Sequence, residues 1–190
     1  MGATLRSTTV PKELALTYDE YLLLPEDGYR YEILEGDLVM TPAPNPRHQN
    51  VLRNLVRIID LTCLAEDLGT VYFAPIDVIL DQTTIIQPDL VFIRKARLAI
   101  VTERGIEGVP DLVVEILSPG TARRDRIIKA RIYARHGVSD YWLVDPDHRT
   151  LEAFHLGPTR YRKVASLRGK QAFHPLPFPD LAIRLTDLWK

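Results

Sequence analysis

A carboxylate lies in the middle of a strongly apolar segment of the chain. Residues 110–120 read PDLVVEILSPG, and Glu115 stands between Val114 and Ile116. The segment is typical of a buried strand, because aliphatic residues occupy both of its alternating faces. A lone carboxylate buried there would cost several kcal/mol or stay protonated, unless a metal ion or a positive side chain lies close to it. We therefore expect a partner for Glu115.

A second acidic residue is placed to share a cation with Glu115. Asp89 follows Pro88 at the start of the preceding apolar run, QPDLVFI, and neighbouring strands lie ~4.8 Å apart. Asp111 is on the same strand as Glu115 but about 13 Å away, too far to share an ion. Two carboxylates on adjacent strands supply oxygens of the kind that Mg²⁺ binds together with several waters. The pair therefore predicts a site for Mg²⁺, with Mn²⁺ as a possible substitute.

Other polar side chains are candidates for contact with the same site or with its substrate. Asp77 is an acid within the apolar run TVYFAPIDVIL, and Gln87 directly precedes the first Pro-Asp pair. His48 stands near the start of a long predicted helix. Asp77 could equally pair with a neighbouring strand end, and His48 could be an ordinary polar residue of a helix start. Both interpretations stay open at this point.

The apolar patterns predict the elements that hold these residues, in the order hairpin, long helix, three strands, helix, strand and hairpin. Glu35-Gly36 and Gly157-Pro158 mark the two hairpin turns. Asn45-Pro46 starts the long helix, and Thr121 and Gly137 bound the second one. The predicted strands cover residues 70–80, 88–93, 110–117 and 140–146, with a surface excursion over 94–109. This order predicts an α/β fold with one mixed central sheet flanked by helices.

Composition limits the possible classes of protein. With 190 residues, 46% of them hydrophobic, the chain suits one domain over residues 1–190, with 1–13 as a loose lead-in. The net charge is -1, so a nucleic-acid partner would need a local basic surface. The single cysteine, Cys63, excludes an internal disulfide framework and fits a reducing cytoplasm. We expect a cytoplasmic protein without a membrane partner, because neither a signal peptide nor an apolar run of ~20 residues is visible.

Three segments together resemble one nuclease family. QPDLVFI, PDLVVEILSPG and YARHGVSDYWLVDP are similar to the PD-(D/E)XK superfamily, which has the restriction endonuclease-like fold. The chain resembles more closely the Uma family, a large prokaryotic family of predicted restriction endonucleases. The likeness extends from YEILEGDLV to YWLVDP and into the tail. The combination is specific, whereas a Pro-Asp pair alone is not, since it occurs at 88–89, 110–111 and 179–180.

The resemblance implies roles for four residues. Asp89 matches the motif aspartate, and Glu115 matches the acidic residue of the (D/E)XK element. Leu117 occupies the position of the motif lysine, which in the Uma family has moved to the following helix, where Lys129 matches it. Glu32 matches an upstream acidic position and would add a third carboxylate. The implied metal ligands are Asp89, Glu115 and Glu32, and these with Lys129 form the implied catalytic set.

Without the resemblance, each of these residues has another interpretation. Asp89 would be a turn residue after a proline, and Glu115 would form a buried ion pair with an arginine. Glu32 would be an exposed residue of the hairpin. Lys129 would be one more solvated charge on a helix rich in arginine. The basic residues of that helix form either an ordinary solvated face or a local rim that holds phosphate backbones.

The features together predict metal-assisted hydrolysis of phosphodiester bonds in nucleic acid, with DNA as the expected substrate. A homodimer is expected, because nucleases that cut both strands often present two sites. The alternative is a nuclease-fold module that binds nucleic acid or a protein partner without cutting, an interpretation that the missing lysine at position 117 favours. A third possibility, hydrolysis by a carboxylate pair as in glycosidases, needs no metal but leaves Lys129 unexplained.

Overall fold

The computed structural model describes residues 15–25, 27–41 and 43–190. The predicted lead-in, residues 1–13, lies outside the described residues. The helices are α1 (Tyr18–Tyr21), α2 (Pro46–Glu66), α3 (Ala130–His136) and α4 (Leu185–Leu188), with a 3₁₀ turn over Lys95–Ile100 and a π-helical turn over Arg124–Lys129. In this part of the chain, no helix is both long and apolar enough to cross a bilayer.

The strands form two large sheets and one small pair. In chain order they are β1 (Arg30–Leu34), β2 (Asp37–Thr41), β3 (Gly69–Phe73), β4 (Val78–Asp81), β5 (Thr84–Ile86), β6 (Leu90–Arg94), β7 (Val101–Thr102), β8 (Gly105–Glu107), β9 (Leu112–Ile116), β10 (Asp140–Asp145), β11 (Thr150–Leu156), β12 (Tyr161–Arg168), β13 (Ala172–Phe173) and β14 (Ile183–Arg184). The central sheet has the order β12-β11-β10-β9-β6-β3, and the second sheet has the order β2-β1-β5-β4-β8-β7. Strand β13 pairs with β14.

Local signals in the sequence account for the main boundaries. The Asn45 side chain accepts a hydrogen bond from the backbone N–H of His48, and proline opens α2. Glu35 and Gly36 adopt positive φ angles of 57° and 92°, which allow the tight turn between β1 and β2. Gly137 ends α3 in the left-handed conformation that favours glycine. The predicted starts and stops at these positions are confirmed.

The strand pairing on which the predicted site depends is present. Strands β6 and β9 are antiparallel, with Leu90 opposite Val114. Asp89 directly precedes β6 and Glu115 directly follows Val114, so the same register brings the two acids side by side. Strand β10 runs parallel to β9 on its other side, with Leu143 opposite Glu115. Glu115 therefore lies in the interior of the central sheet.

Both faces of the central sheet are covered by apolar layers. On one face, Val114 packs with Leu55 of α2 and with Phe178 of the C-terminal segment. On the other face, Val113 packs with Ile132 of α3 and with residues of the second sheet. Because side chains alternate along β9, Glu115 points to the same face as Val113. Its carboxylate is thus directed between the central sheet and the layer that contains α3 and the second sheet.

The predicted mixed α/β class and both terminal hairpins are confirmed, but the strands are divided between two large sheets where the sequence predicts one. The predicted strand over 70–80 is interrupted between Phe73 and Val78. Strand β3 is an edge of the central sheet, and β4 belongs to the second sheet. Pro75 lies in the interruption, where it cannot donate a hydrogen bond to a neighbouring strand.

Two smaller expectations also differ from the structure. Residues 94–109, predicted as a surface excursion, contain the 3₁₀ turn and strands β7 and β8. Thr121 stands at the predicted N-cap position, directly before helical residues 122–123, and its carbonyl accepts a hydrogen bond of 3.0 Å from the Asp125 N–H. Its hydroxyl, however, lies 3.0 Å from that of Ser118 and makes no described hydrogen bond to the helix backbone. After residues 122–123 the segment continues as the π-helical turn from Arg124 and then as α3.

Candidate active site

A cleft of about 420 Å³ lies where both large sheets, the start of α2 and the π-helical turn meet. Six of the seven residues singled out from the sequence line it: Glu32, His48, Gln87, Asp89, Glu115 and Lys129. Asp77 is the exception. The side chains come from five separate segments of the chain, so the tertiary fold assembles the cleft.

Asp89 is held at the floor of the cleft by neighbours on both sides. Its Oδ2 accepts a hydrogen bond of 2.7 Å from the backbone N–H of Ile116. The same oxygen lies 3.1 Å from Nε2 of His48. Asp89 is only 5% exposed. The bond to Ile116 shows that the Asp89 carboxylate reaches across to β9 beside Glu115, so this residue is more than a turn residue after a proline.

Lys129 is the positive partner that the burial of Glu115 requires. Its ammonium donates hydrogen bonds of 2.8 Å to Glu32 Oε1 and 3.0 Å to Glu115 Oε1. The third acid near it is Asp125, whose Oδ1 lies 3.8 Å away. Lys129 is only 4% exposed. It is therefore not a solvated charge of the helix face, and the partner of Glu115 is a lysine rather than an arginine.

The Glu115 carboxylate receives a second donor from the helix that carries Lys129. The hydroxyl of Tyr133, one helical turn after Lys129, donates a hydrogen bond of 2.8 Å to Glu115 Oε1. Both donors therefore bind the same oxygen. Glu115 Oε2 accepts no hydrogen bond from the described residues, so one side of the carboxylate is fixed and the other is left free.

Negative charge exceeds positive charge in the buried part of the site. Among the described residues, four carboxyl groups are buried around one buried ammonium: Glu32, Asp89, Glu115 and Asp125. Burial raises the pKa of Glu115 well above its usual range, although the charge of Lys129 opposes the shift. Burial lowers the pKa of Lys129, but attraction by Glu115 and Glu32 outweighs this and leaves the pKa above its usual range. The cluster thus keeps the ammonium charged and favours a proton on Glu115 unless further positive charge is supplied.

The donor set of the cleft fits a hard divalent cation. Glu32 Oε2 is buried without a hydrogen-bond partner, and Asp89 Oδ1 and Glu115 Oε2 also accept no hydrogen bond from the described residues. Within residues 15–25, 27–41 and 43–190, no three His, Cys, Asp or Glu side chains are close enough together to enclose a metal ion. Mg²⁺ commonly binds one or two carboxylates and keeps several waters. Asp89 and Glu115 therefore fit as a two-carboxylate site.

Comparison with known proteins identifies the family. A sequence model of the Uma2 family, described as "Putative restriction endonuclease", matches residues 18–186. The chain belongs to the Uma2 family. A crystal structure of a "putative nuclease" from Anabaena variabilis ATCC 29413 has a similar fold, with a TM-score of 0.77 and 22% sequence identity over 92% of this chain and 97% of that chain. No curated protein matches the chain.

Asp77 supports the Uma2 cleft from outside. It lies between β3 and β4 rather than inside a strand, and it accepts hydrogen bonds of 2.8 Å from both Tyr21 and Gln87. Gln87 in turn donates its backbone N–H to Glu32 Oε1 at 2.9 Å. Glu32, only 2% exposed, is therefore not the exposed hairpin residue of the plainer interpretation. Asp77 and Gln87 together connect α1 to the carboxylate cluster.

Several residues in the cleft or directly behind it were not among the predicted site residues. Asp125 and Tyr133 are four residues before and after Lys129, a spacing that places them on one helical face with it. Arg30 is two residues before Glu32 on β1, so both side chains point to the same face of the strand. Arg124 lies at the first position of the π-helical turn. The helix and strand periodicities were the available signals for the first three of these residues.

Proposed function

We propose that this Uma2 family member is an endonuclease that uses Mg²⁺ to hydrolyse phosphodiester bonds in DNA. The observation that carries the proposal is the meeting of Glu32, Asp89 and Glu115 with the Lys129 ammonium in one cleft. Acidic oxygens suit a hard cation, and a buried ammonium suits an anionic substrate. Family membership supports the same chemistry.

In the proposed mechanism, Asp89 and Glu115, with Glu32 beside them, hold one or two Mg²⁺ ions. Bound there, Mg²⁺ would lower the pKa of a water molecule and neutralise charge on the phosphate. Asp89 is kept in position by Ile116 and His48. The charge of Lys129 stabilises the negative charge that grows on the phosphate oxygens during attack.

The proposal is tested by removing each metal-binding carboxylate. Asp89→Ala and Glu115→Ala should each slow Mg²⁺-dependent cleavage of DNA at least about 100-fold, the usual scale for loss of an electrostatic group from an active site. Asp180→Ala is the matched control, because Asp180 also follows a proline but is exposed. The control should cut like the wild type. Undiminished cleavage by folded Asp89 and Glu115 variants, checked by circular dichroism, would refute the site assignment.

A second candidate function is a module that binds nucleic acid or a protein partner without cutting. Two observations favour it: Lys129 already bonds both Glu32 and Glu115, and the described residues hold no group of three metal ligands. Calorimetric titration with Mg²⁺ and Mn²⁺ separates the two candidates. Heat of binding that disappears in Asp89→Ala supports the nuclease, whereas no binding by the wild type supports the module.

The proposal includes an assembly and a compartment. Cleavage of both strands of a duplex is served by two copies of the site, so we propose a homodimer, which light scattering tests. We also propose a cytoplasmic location, because the lone Cys63 is buried as a free thiol and fits a reducing compartment.

A further inference from the structure

Two arginines line the cleft in addition to the acidic cluster. Arg30 stands at the first position of β1, and Arg124 at the first position of the π-helical turn. Both line the same cleft as Asp89 and Glu115. Their side chains are 20% and 23% exposed, respectively. Arginine is seldom this buried unless its donors are satisfied, so the partners of these two residues are informative.

The donors of both guanidinium groups are largely unused. Arg30 Nε is buried without a hydrogen-bond partner, and the nearest carboxylate oxygen to Arg30, Asp89 Oδ1, lies 3.7 Å away. Arg124 donates one hydrogen bond, of 3.0 Å, to Thr41 Oγ1. Its nearest carboxylate oxygen is Glu32 Oε2 at 4.0 Å. Among the described residues, neither arginine makes a close ion pair.

Two other arginines of the chain are paired closely. Arg97 donates to Asp111 at 2.8 Å and to the carbonyl of Val109 at 2.7 Å. Arg131, on α3, donates to Glu35 at 2.7 Å and is 61% exposed. Those contacts satisfy arginine within the protein. The contrast indicates that the acceptors for Arg30 and Arg124 come from outside the chain.

We propose that Arg30 and Arg124 form a clamp that binds phosphate groups of the nucleic-acid backbone at the cleft. The planar guanidinium fork matches two phosphate oxygens at once and remains charged at all working pH values. Arg30 lies beside Asp89, so the phosphate it binds is adjacent to the proposed metal site. This inference deepens the proposed function and rests on it for the identity of the ligand.

The clamp also solves an electrostatic problem of the cleft. Its floor is acidic, and an anionic backbone approaching Glu32 and Asp89 would be repelled. Positive charge at Arg30 and Arg124 offsets that repulsion before any divalent cation binds. The clamp should therefore hold nucleic acid even when metal is removed, which separates its role from that of the carboxylates.

The test measures binding without cleavage. Fluorescence anisotropy with a fluorescein-labelled 20-nucleotide DNA, single-stranded or duplex, is followed in EDTA for wild type, Arg30→Gln and Arg124→Gln. Each substitution should weaken binding about tenfold or more, the scale for loss of charge-assisted hydrogen bonds. Each should also lower the slope of log Kd against log salt by about 1, as loss of one phosphate contact does. A merely structural defect would leave that slope unchanged.

Arg131→Gln is the matched control, because it removes an exposed arginine of the neighbouring α3 that is already paired with Glu35. It should change Kd by less than about twofold. Arg30→Lys and Arg124→Lys keep the positive charge, and their affinity for DNA should lie between that of the wild type and that of the glutamine variants. They also take the place of the glutamine variants in the test if those do not fold. If the two glutamine variants, or the two lysine variants, bound DNA with the affinity and salt slope of the wild type, the clamp would be overturned.

The two proposals fail in different ways. Suppose that wild-type protein binds DNA in an arginine-dependent manner in EDTA but does not cleave it, whichever divalent cation is added. The clamp is then supported and the nuclease proposal is overturned. If it cuts with Mg²⁺ and the arginine variants bind and cut normally, the clamp alone falls. If wild-type protein neither binds nor cuts nucleic acid, both are overturned.

Discussion

The two oxygens of Glu115 have different surroundings. Oε1 accepts hydrogen bonds from Lys129 and Tyr133, whereas Oε2 accepts none from the described residues. A carboxylate fixed on one side presents the other in a defined direction, which is what a metal ligand needs. Tyr133 is fully buried and, beyond its packing, its hydroxyl has this one described hydrogen bond. We therefore expect Tyr133 to act as a positioning residue for Glu115.

Tyr133→Phe should lower the free energy of unfolding by about 1–3 kcal/mol, because it removes a buried hydrogen bond to an ionisable group. It should also weaken Mg²⁺ binding in calorimetry and slow cleavage about tenfold, since a loosened ligand loses its orientation. Tyr141→Phe is the control: Tyr141 is equally buried, but its hydroxyl donates to the backbone carbonyl of Asp125. A similar loss of stability with unchanged Mg²⁺ affinity in both variants would remove the positioning role.

Sequence patterns predicted part of this site for identifiable reasons. Asp89 and Glu115 follow from two adjacent apolar strands, each interrupted by an acid, and strand pairing then brings them together. The position of Lys129 required the family resemblance in addition to helix periodicity. The sequence could not predict that Arg30 and Arg124 lack close ion pairs. In the folded chain, other donors already bind the nearby carboxylates, and local sequence patterns do not show this.

The helical segment after β9 delivers three of the buried groups of the site. After helical residues 122–123, Arg124–Lys129 form a π-helical turn, and Ala130–His136 continue as regular α-helix. Such turns occur frequently at functional sites. The apolar and charged periodicity predicted a helix here, but six residues of π geometry have no separate signature in that pattern.

The end of this segment depends on Gly137, whose φ angle is 89°. Gly137→Ala should lower the free energy of unfolding by about 1–2 kcal/mol, because a side chain is disfavoured in the left-handed region. Gly120→Ala is the control: a Cβ there also meets no atom within 4 Å, and its φ is not in the left-handed region. Urea unfolding measures both variants. Equal stability of the two would show that the α3 terminus tolerates a side chain.

The interruption between β3 and β4 shows the limit of local prediction for strands. Residues 70–80 are rich in β-branched and aromatic residues, so their pattern reads as one strand. The chain nevertheless leaves the central sheet after Phe73 and enters the second sheet at Val78. Which sheet a strand joins is decided by distant partners, such as Ile86 opposite Val78, and propensity contains no information about them.

At the scale of the molecule, the central sheet separates two apolar layers. One contains α2, Trp142 and the C-terminal segment, and the other contains α3 and strands of the second sheet. Successive residues of β9, such as Val113 and Val114, belong to opposite layers. Loss of β9 would therefore expose both layers at once. That the chain forms one domain remains a prediction from its length and composition.

One cooperative unfolding transition is expected, because the two layers share the strands between them. The chain has two tryptophans, so Trp189→Phe leaves Trp142 as a reporter of one layer. Its fluorescence in a urea titration should give the same midpoint as far-UV circular dichroism, which reports both layers. Separate midpoints would indicate two independently folding units.

The candidate site draws its groups from both large sheets. Arg30 and Glu32 come with β1 of the second sheet, whereas Asp89 and Glu115 come with the central sheet. In a nascent or partly unfolded chain, the two sheets have not yet docked. The side chains of the candidate site are then apart, and the site is not assembled. The proposed nuclease would therefore not cut the cell's own nucleic acid before its synthesis and folding are complete.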